Sequence, residues 1–165
     1  MNKTYETANV WDRAIGKARR ITARNFRKSR FEIPQTFRGV SFCFDDFPAT
    51  AGDFGAKTLE DAGARGTFYT CFGMLEGENQ GVRLASLDQV LSLARNGHEI
   101  GCHTYDHINC SFSEPEKVAA SCAENRKIAA VHGIGLDSFS YPQGGVSLSA
   151  TKIRQDNYKT ARRSF

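Results

Sequence analysis

The chain alternates between short apolar runs and segments with helical periodicity. Four runs rich in β-forming residues occupy residues 39–44, 66–72, 98–102 and 137–141, and a fifth begins near residue 158. Repeated strand–helix units whose strands are buried on both faces are typical of a parallel sheet. Right-handed crossovers wind such units into a barrel or an open doubly wound sheet, so the pattern predicts an α/β fold.

Helix signals lie between these runs. The two predicted capping boxes are Ser86 with Gln89 and Ser113 with Glu116. Gly97 and Gly133 are placed as the C-terminal stops of the two helices that these boxes begin. Residues 52–63 form a shorter helix candidate.

The first part of the chain has a different pattern. Residues 8–29 carry apolar side chains at three- and four-residue steps with basic residues between them, which predicts an amphipathic helix. We assign residues 1–36 as a basic N-terminal extension and residues 37–165 as the α/β domain. The basic face is explained most simply as the solvated face of a helix packed on the domain, although charge alone also fits nucleic acid or anionic lipid. Nucleic acid is not an expected partner.

The amino-acid composition limits the classes of protein to which the chain can belong. The 165 residues, 40% hydrophobic and 11% aromatic, fit one domain with a real core, and much of the net charge of +4 comes from residues 17–30. The five cysteines form no C-x-x-C pair, and three lie in apolar runs, which favours buried free thiols in a reducing compartment. The sequence shows no signal-peptide core and no run of membrane-span length. A cytoplasmic protein without a membrane span is therefore expected.

Two adjacent carboxylates follow the first run. Asp45 and Asp46 come directly before Phe47 and Pro48. Neighbouring side chains on a strand point to opposite faces, so both carboxylates reach one site only if the chain turns there, and Pro48 fits such a turn. A solvated Asp-Asp pair in a loop is the alternative explanation.

Two histidines follow the third run. His103 ends it, and His107 lies four residues later, so the rings share one side if the loop makes one helical turn. The spacing alone is a weak signal, and core histidines bound to backbone groups are the alternative. The position of the two histidines after a predicted strand strengthens this signal, because ligands of α/β folds bind where strands end.

One carboxylate and two imidazoles make three protein ligands, the pattern of a catalytic rather than a structural zinc site. Ferrous iron in oxygenases also uses two histidines and one carboxylate, but normally on a different scaffold. A zincin protease needs glutamate directly after the first histidine, where this chain has Thr104. The residues thus indicate a catalytic type of metal site, and the reaction that it serves stays open at this point.

These residues carry a family resemblance. Residues 44–48, FDDFP, are similar to the T-F-D-D-G-P motif of the polysaccharide deacetylases of carbohydrate esterase family 4, which include chitin, peptidoglycan and nodulation-factor N-deacetylases. Residues 98–107, HEIGCHTYDH, match the family's long and specific G-H-E-I-G-x-H-[ST]-x-x-H strand. Residues 139–144, FSYPQG, resemble its R-x-P-[YF]-G motif without the arginine. The resemblance runs from about residue 39 to the end of the chain.

The resemblance implies a parallel (β/α) barrel-like fold, distorted or incomplete, with an N-terminal helix in front. It makes Asp45 the general base and places an oxyanion-binding backbone N–H in one turn. The implied metal ligands are Asp46, His103 and His107, and the implied turn is Pro142, Gln143 and Gly144. Zinc is the expected ion, with cobalt or nickel as alternatives.

The sequence departs from the family pattern at three motif positions. Phe47 replaces a glycine, Ser140 occupies the position of the arginine that orients the base, and Gln143 replaces an aromatic residue. The catalytic acid histidine should follow the last predicted strand, yet the sequence ends at Phe165. His98 and His132 are expected to be structural. The domain is therefore expected to be C-terminally incomplete, with its open side covered by the N-terminal helix or by a second copy.

The expected function is the metal-dependent removal of acetyl groups from N-acetylated sugars of an oligosaccharide or polysaccharide. The alternative is a metal- or carbohydrate-binding remnant of the same fold without turnover, or a fragment of a longer enzyme.

Overall fold

The computed structural model describes residues 8–26, 34–36 and 38–163, which form five α-helices and seven strands. The helices are α1 (Val10–Phe26), α2 (Lys57–Asp61), α3 (Leu87–Arg95), α4 (Pro115–Val131) and α5 (Leu148–Asn157). The strands are β1 (Cys43–Phe44), β2 (Thr67–Thr70), β3 (Glu78–Asn79), β4 (Val82–Arg83), β5 (Glu99–Cys102), β6 (Ser138–Ser140) and β7 (Thr160–Arg162). A π-helical turn (Ala51–Ala56) leads into α2, and 3-10 turns cover Phe72–Met74 and Pro142–Gly144.

Five of the described strands form one parallel sheet in the order β1-β2-β5-β6-β7, while β3 and β4 pair as an antiparallel hairpin. The predicted α/β fold is confirmed. The sheet strands follow one another in chain order without a reversal, which is the winding of a (β/α) barrel rather than of a doubly wound sheet. The observed fold is an incomplete, distorted barrel with edges at β1 and β7. Because all five strands run the same way, their carboxyl ends share one rim.

The strands are shorter than the apolar runs that predict them. Residues 39–44 predict a six-residue strand, but only Cys43–Phe44 pairs with β2. Val40 is 80% exposed, since this edge strand has a neighbour on one side only. The sequence patterns did not predict two elements, which are the β3–β4 hairpin and α5. The residues that α5 buries are the small Ala150 and Thr151, so apolar periodicity does not mark this helix.

One of the two predicted capping boxes forms. The Ser86 hydroxyl accepts from Gln89 N–H at 3.2 Å and the Gln89 side chain accepts from Ser86 N–H at 3.0 Å. The predicted box at Ser113 is wrong, because Glu114 is the N-cap of α4 and no side-chain capping bond forms. Pro115 takes the first helical position, and this moves Glu116 to the second position instead of the third.

The helix stops agree with prediction. Gly97 and Gly133 follow the C-caps of α3 and α4 and have φ of 83° and 73°. The left-handed region suits glycine, so both residues end their helices as expected.

The core lies between the sheet and α3, α4 and α5. Phe68 and Phe139 are almost fully buried there. Buried Asn125 joins α4 to the end of β2, since its side chain accepts from Phe72 N–H and donates to the Thr70 carbonyl, each at 2.9 Å. This pairing fixes the strand end next to the shared rim.

α1 packs on the domain through an unexpected face. The sequence predicts residues 8–29 as helix, of which residues 10–26 are observed and 27–29 lie outside the described residues. The buried residues of α1 and its preceding turn include Ala8, Gly16 and Ala23, whereas its large apolar side chains Val10, Trp11, Ile15 and Ile21 are exposed. In the described ranges, no helix combines the length and the apolar character that crossing a membrane requires.

Candidate metal centre

The chain turns sharply after β1. Asp46 and Phe47 have φ of 60° and 47°, values that residues other than glycine rarely adopt. The turn predicted beside Pro48 is therefore present. It lets two consecutive carboxylates face different partners, because Asp46 lies against the histidines and Asp45 lies against β7.

Phe47 replaces the glycine of the family motif and adopts the left-handed conformation itself. Its ring is 1% exposed and packs against Phe68 with a centroid separation of 5.1 Å. The strained backbone costs about 1–3 kcal/mol. Burying the ring stabilises by a similar amount, about 2–3 kcal/mol. The side chain thus belongs to the core and does not narrow the rim.

His103 and His107 come together, but not by the helical turn that their spacing suggested. The segment between them is irregular, and Thr104 and His107 have φ of 62° and 54°. The Thr104 hydroxyl accepts from Ile108 N–H at 3.0 Å, which closes the loop. The two imidazole rings lie 5.1 Å apart.

Asp46, His103 and His107 converge. Asp46 Oδ1 lies 2.9 Å from His107 Nε2 and 3.2 Å from His103 Nε2, and all three ligand atoms lie within 4.8 Å of one another. Neither imidazole approaches with hydrogen-bond geometry, so this buried oxygen has no donor. Two ligands bound to one zinc ion at about 2.0–2.1 Å are separated by about 2.9–3.4 Å. The two Asp–His distances fall in this range, and the donor set suits a divalent metal.

Supporting contacts orient the centre for a cation. His103 is buried, and its Nδ1 lies 2.8 Å from the Ser140 carbonyl, which can only accept, so Nδ1 carries the proton and Nε2 presents its lone pair. Contacts with His103 and then His107 hold the pKa of Asp46 well below its usual range, although burial acts to raise it. Asp46 is therefore ionised at neutral pH.

Asp45 is held by a cation that the sequence patterns did not assign. Arg162 Nη1 donates to Asp45 Oδ1 at 2.7 Å, and both side chains are about one-third exposed. The Arg162 guanidinium also lies 5.7 Å from the centre of the Tyr69 ring. Arg162 is opposite Ser140 in the β6–β7 register. The neighbouring strand thus supplies an arginine beside the position where the family motif carries one.

The turn after β6 is also strained. Gln143 has φ 54° and ψ 23°, and its side-chain oxygen accepts from buried Asn109 at 2.8 Å. Gly144 N–H donates to the Tyr141 carbonyl at 2.9 Å. Pro142 has no N–H, so Gln143 is the member of this turn whose backbone donor is not used inside it.

The other two histidines are distant from this rim. His98 lies at the opposite end of β5, where its Nδ1 accepts from Gly66 N–H at 3.1 Å and its Nε2 lies 3.0 Å from Glu60 Oε1. His132 is the exposed C-cap of α4. Both places agree with the structural roles expected of them.

The sequence of residues 33–161 matches the family model described as polysaccharide deacetylase. The chain belongs to the polysaccharide deacetylase family. The comparison with curated protein sequences finds no match.

Solved structures with a similar fold include the following three. IcaB from Ammonifex degensii has a TM-score of 0.68 at 18% identity over 96% of this chain and 76% of IcaB. The Streptococcus pyogenes deacetylase PplD in complex with acetate has a TM-score of 0.67 at 18% identity over 92% of this chain and 62% of PplD. The family 4 carbohydrate esterase from Streptomyces lividans, also in complex with acetate, has a TM-score of 0.60 at 19% identity over 74% of this chain and 60% of the esterase. This chain thus spans about three-fifths to three-quarters of these proteins.

Proposed function

We propose that this chain is a metal-dependent hydrolase that removes acetyl groups from N-acetylated sugars of an oligosaccharide or polysaccharide. The observation that carries the proposal is the convergence of Asp46, His103 and His107 beside a second carboxylate, Asp45, at the carboxyl rim of a parallel sheet. Family membership supports amide hydrolysis of an acetylated saccharide. Two similar structures hold acetate, the acid that the proposed reaction would release.

Asp46, His103 and His107 would hold the metal, with zinc expected and cobalt or nickel as alternatives. When bound, such an ion lowers the pKa of a water molecule and polarises the amide carbonyl. The Asp46 side chain is 39% exposed, so a water molecule and a sugar would enter on the side of this carboxylate.

Asp45 would act as the general base that removes a proton from the attacking water. Arg162 would be its positioning residue, since a charge-assisted bond of 2.7 Å restricts the carboxylate to one orientation. Neither His98 nor His132 reaches the rim. Asp45 is therefore the described group that we expect to return the proton to the leaving nitrogen.

The backbone N–H of Gln143 would donate to the oxygen that becomes negative as the amide carbonyl is attacked. Its place in the turn is fixed by the bond between its side chain and Asn109. The Pro142 and Gly144 positions of the predicted oxyanion turn would shape this segment rather than donate to the oxygen.

The test combines metal analysis with acetate release from chito-oligosaccharides. Wild type is expected to bind about one divalent ion per chain and to release acetate. His103→Ala and His107→Ala are each expected to lose both the ion and the activity. The matched control is His132→Ala, which removes an exposed imidazole distant from the rim and should change neither measurement.

Two outcomes would contradict the proposal. Equal metal content in wild type and both histidine variants would remove the ligand assignment. Metal bound by wild type without acetate release from any N-acetylated saccharide would point instead to a binding remnant of the fold.

A further inference from the structure

The large apolar side chains of α1 form a continuous face that points away from the domain. This outer face consists of Val10, Trp11, Ile15 and Ile21, which are 81%, 78%, 50% and 52% exposed. A helix of a globular protein ordinarily buries such a stripe against its own core. Here the stripe has no partner in the described part of the chain.

The opposite face of α1 fixes this orientation. Ala8 and Ala23 are 6% and 4% exposed. A Cβ atom at Gly16 would overlap the Phe112 ring, so the helix approaches the domain as closely as glycine allows. The side chain of Arg19 donates to the carbonyl before Phe112 at 3.1 Å. Rolling the helix to bury its outer face would break these contacts.

The first turn of α1 is well defined, which keeps Trp11 in place. Asn9 and Asp12 cap the helix reciprocally, because each backbone N–H donates to the other side chain, at 3.3 Å and 2.8 Å. Trp11 therefore projects from a capped helix, and its exposure is a property of the folded state.

Charge distinguishes the partners that could cover the outer face. Residues 10–26 contain five basic residues and one acid, Asp12, which is engaged at the cap. A second copy would bring the same basic residues to a two-fold interface, where like charges repel. Nucleic acid would attract the charges but would leave Val10, Ile15 and Ile21 in water. An anionic lipid surface accepts both the apolar face and its basic border.

We propose that α1 is an interfacial helix that attaches the protein to membranes containing anionic phospholipids. Its outer face enters the boundary between headgroups and acyl chains, and Lys17 contacts the phosphates. The inference uses no residue of the metal centre, so it is independent of the proposed hydrolase activity.

The experiment uses Trp11, the only tryptophan of the chain. The full chain is titrated with vesicles of phosphatidylcholine, with or without phosphatidylglycerol, while Trp fluorescence and co-sedimentation are recorded. Anionic vesicles are expected to shift the emission to shorter wavelength, and brominated lipid to quench it. Neutral vesicles should bind at least about tenfold more weakly.

Variants separate the apolar and charged contributions. Ile15→Glu is expected to abolish partitioning, and Lys17→Ala to weaken it about fivefold. Val131→Glu is the matched control, since it places the same charge at a 75% exposed apolar residue on α4 and should not change binding. Far-UV circular dichroism and urea denaturation verify that each variant is folded.

Four outcomes would overturn the inference. They are no emission shift with anionic vesicles, equal binding to neutral vesicles, a shift that depends on protein concentration without lipid, and salt-sensitive RNA binding without vesicle partitioning. The third result would assign the outer face to a second copy, and the fourth would assign α1 to nucleic acid.

Discussion

Backbone strain and candidate chemistry coincide at the rim. In the described residues, seven positions other than glycine have positive φ, and five of them belong to segments of the candidate site. These five are Asp46, Phe47, Thr104, His107 and Gln143. Each costs about 1–3 kcal/mol and persists only where surrounding contacts hold it. The backbone at the proposed ligands Asp46 and His107 is therefore held in place by the fold itself.

Arg162 provides a test at the level of one side chain. Arg162→Gln is expected to lower kcat for acetate release by about 10- to 100-fold, because a misoriented base reacts slowly. KM and metal content should stay close to wild type. Arg162→Lys should recover part of the loss, since a single ammonium donor keeps the charge but not the planar geometry.

Lys159→Gln is the control for the arginine variants. It removes an exposed ion pair with Asp137 just before the same strand, and such pairs contribute little. Equal losses of kcat in the lysine and arginine variants would show that the effect comes from β7 stability and not from Asp45.

The sequence predicted the aspartates and histidines because each follows an apolar run and matches a motif. The contact of Arg162 with Asp45 was not predicted because it depends on strand pairing. The register that places Arg162 opposite Ser140 cannot be derived from either run alone. The available signal was a basic residue at the end of the last predicted strand, adjacent to a motif that lacks its arginine.

At the level of elements, Ser86 and Ser113 are expected to contribute differently to stability. Ser86→Ala should lower the free energy of unfolding by about 1 kcal/mol, because the Gln89 N–H loses its acceptor. Ser113→Ala should leave it nearly unchanged, because α4 begins at Pro115 without a side-chain cap. Urea denaturation of both variants measures the difference. A similar loss at Ser113 would contradict the assigned start of α4.

Element positions were largely predictable, whereas their lengths were not. Each of the five predicted runs contains a sheet strand, and the three central strands are the most buried, as continuous apolar sequence predicts. Hydrogen-bonded pairing then determines how long each strand is, and in β1 only two residues pair with a neighbour. α5 was missed because small residues form its buried side, so its helical periodicity is not carried by large apolar residues.

At the scale of the whole molecule, the accessibility of the cysteines to a reagent measures how completely the core is enclosed. All five lie in described residues and are free, but only Cys43 is partly exposed. Burial raises the pKa of the Cys71 and Cys110 thiols, which further slows their reaction. A thiol-specific reagent should therefore modify one cysteine quickly in the native protein and all five in guanidinium chloride. Rapid native labelling of two or more would contradict the packing described here.

The periodic pattern alone predicted the architecture only in class, whereas the family resemblance predicted the distorted (β/α) barrel that the strand order confirms. Alternating units predicted a parallel sheet but left a barrel and a doubly wound sheet as alternatives. Strand order decided between them, and it depends on which neighbour each strand finds in three dimensions.

The pairing of Ser140 with Arg162 means that the charge beside Asp45 is specified by location in space and not by position in a motif. A one-residue shift of β7 against β6 would turn the arginine to the other face of the sheet and leave every motif letter intact. Conversely, a family member that lacks the motif arginine can keep the same electrostatics by carrying it one strand away. The motif letters alone therefore do not report which charge lies beside Asp45.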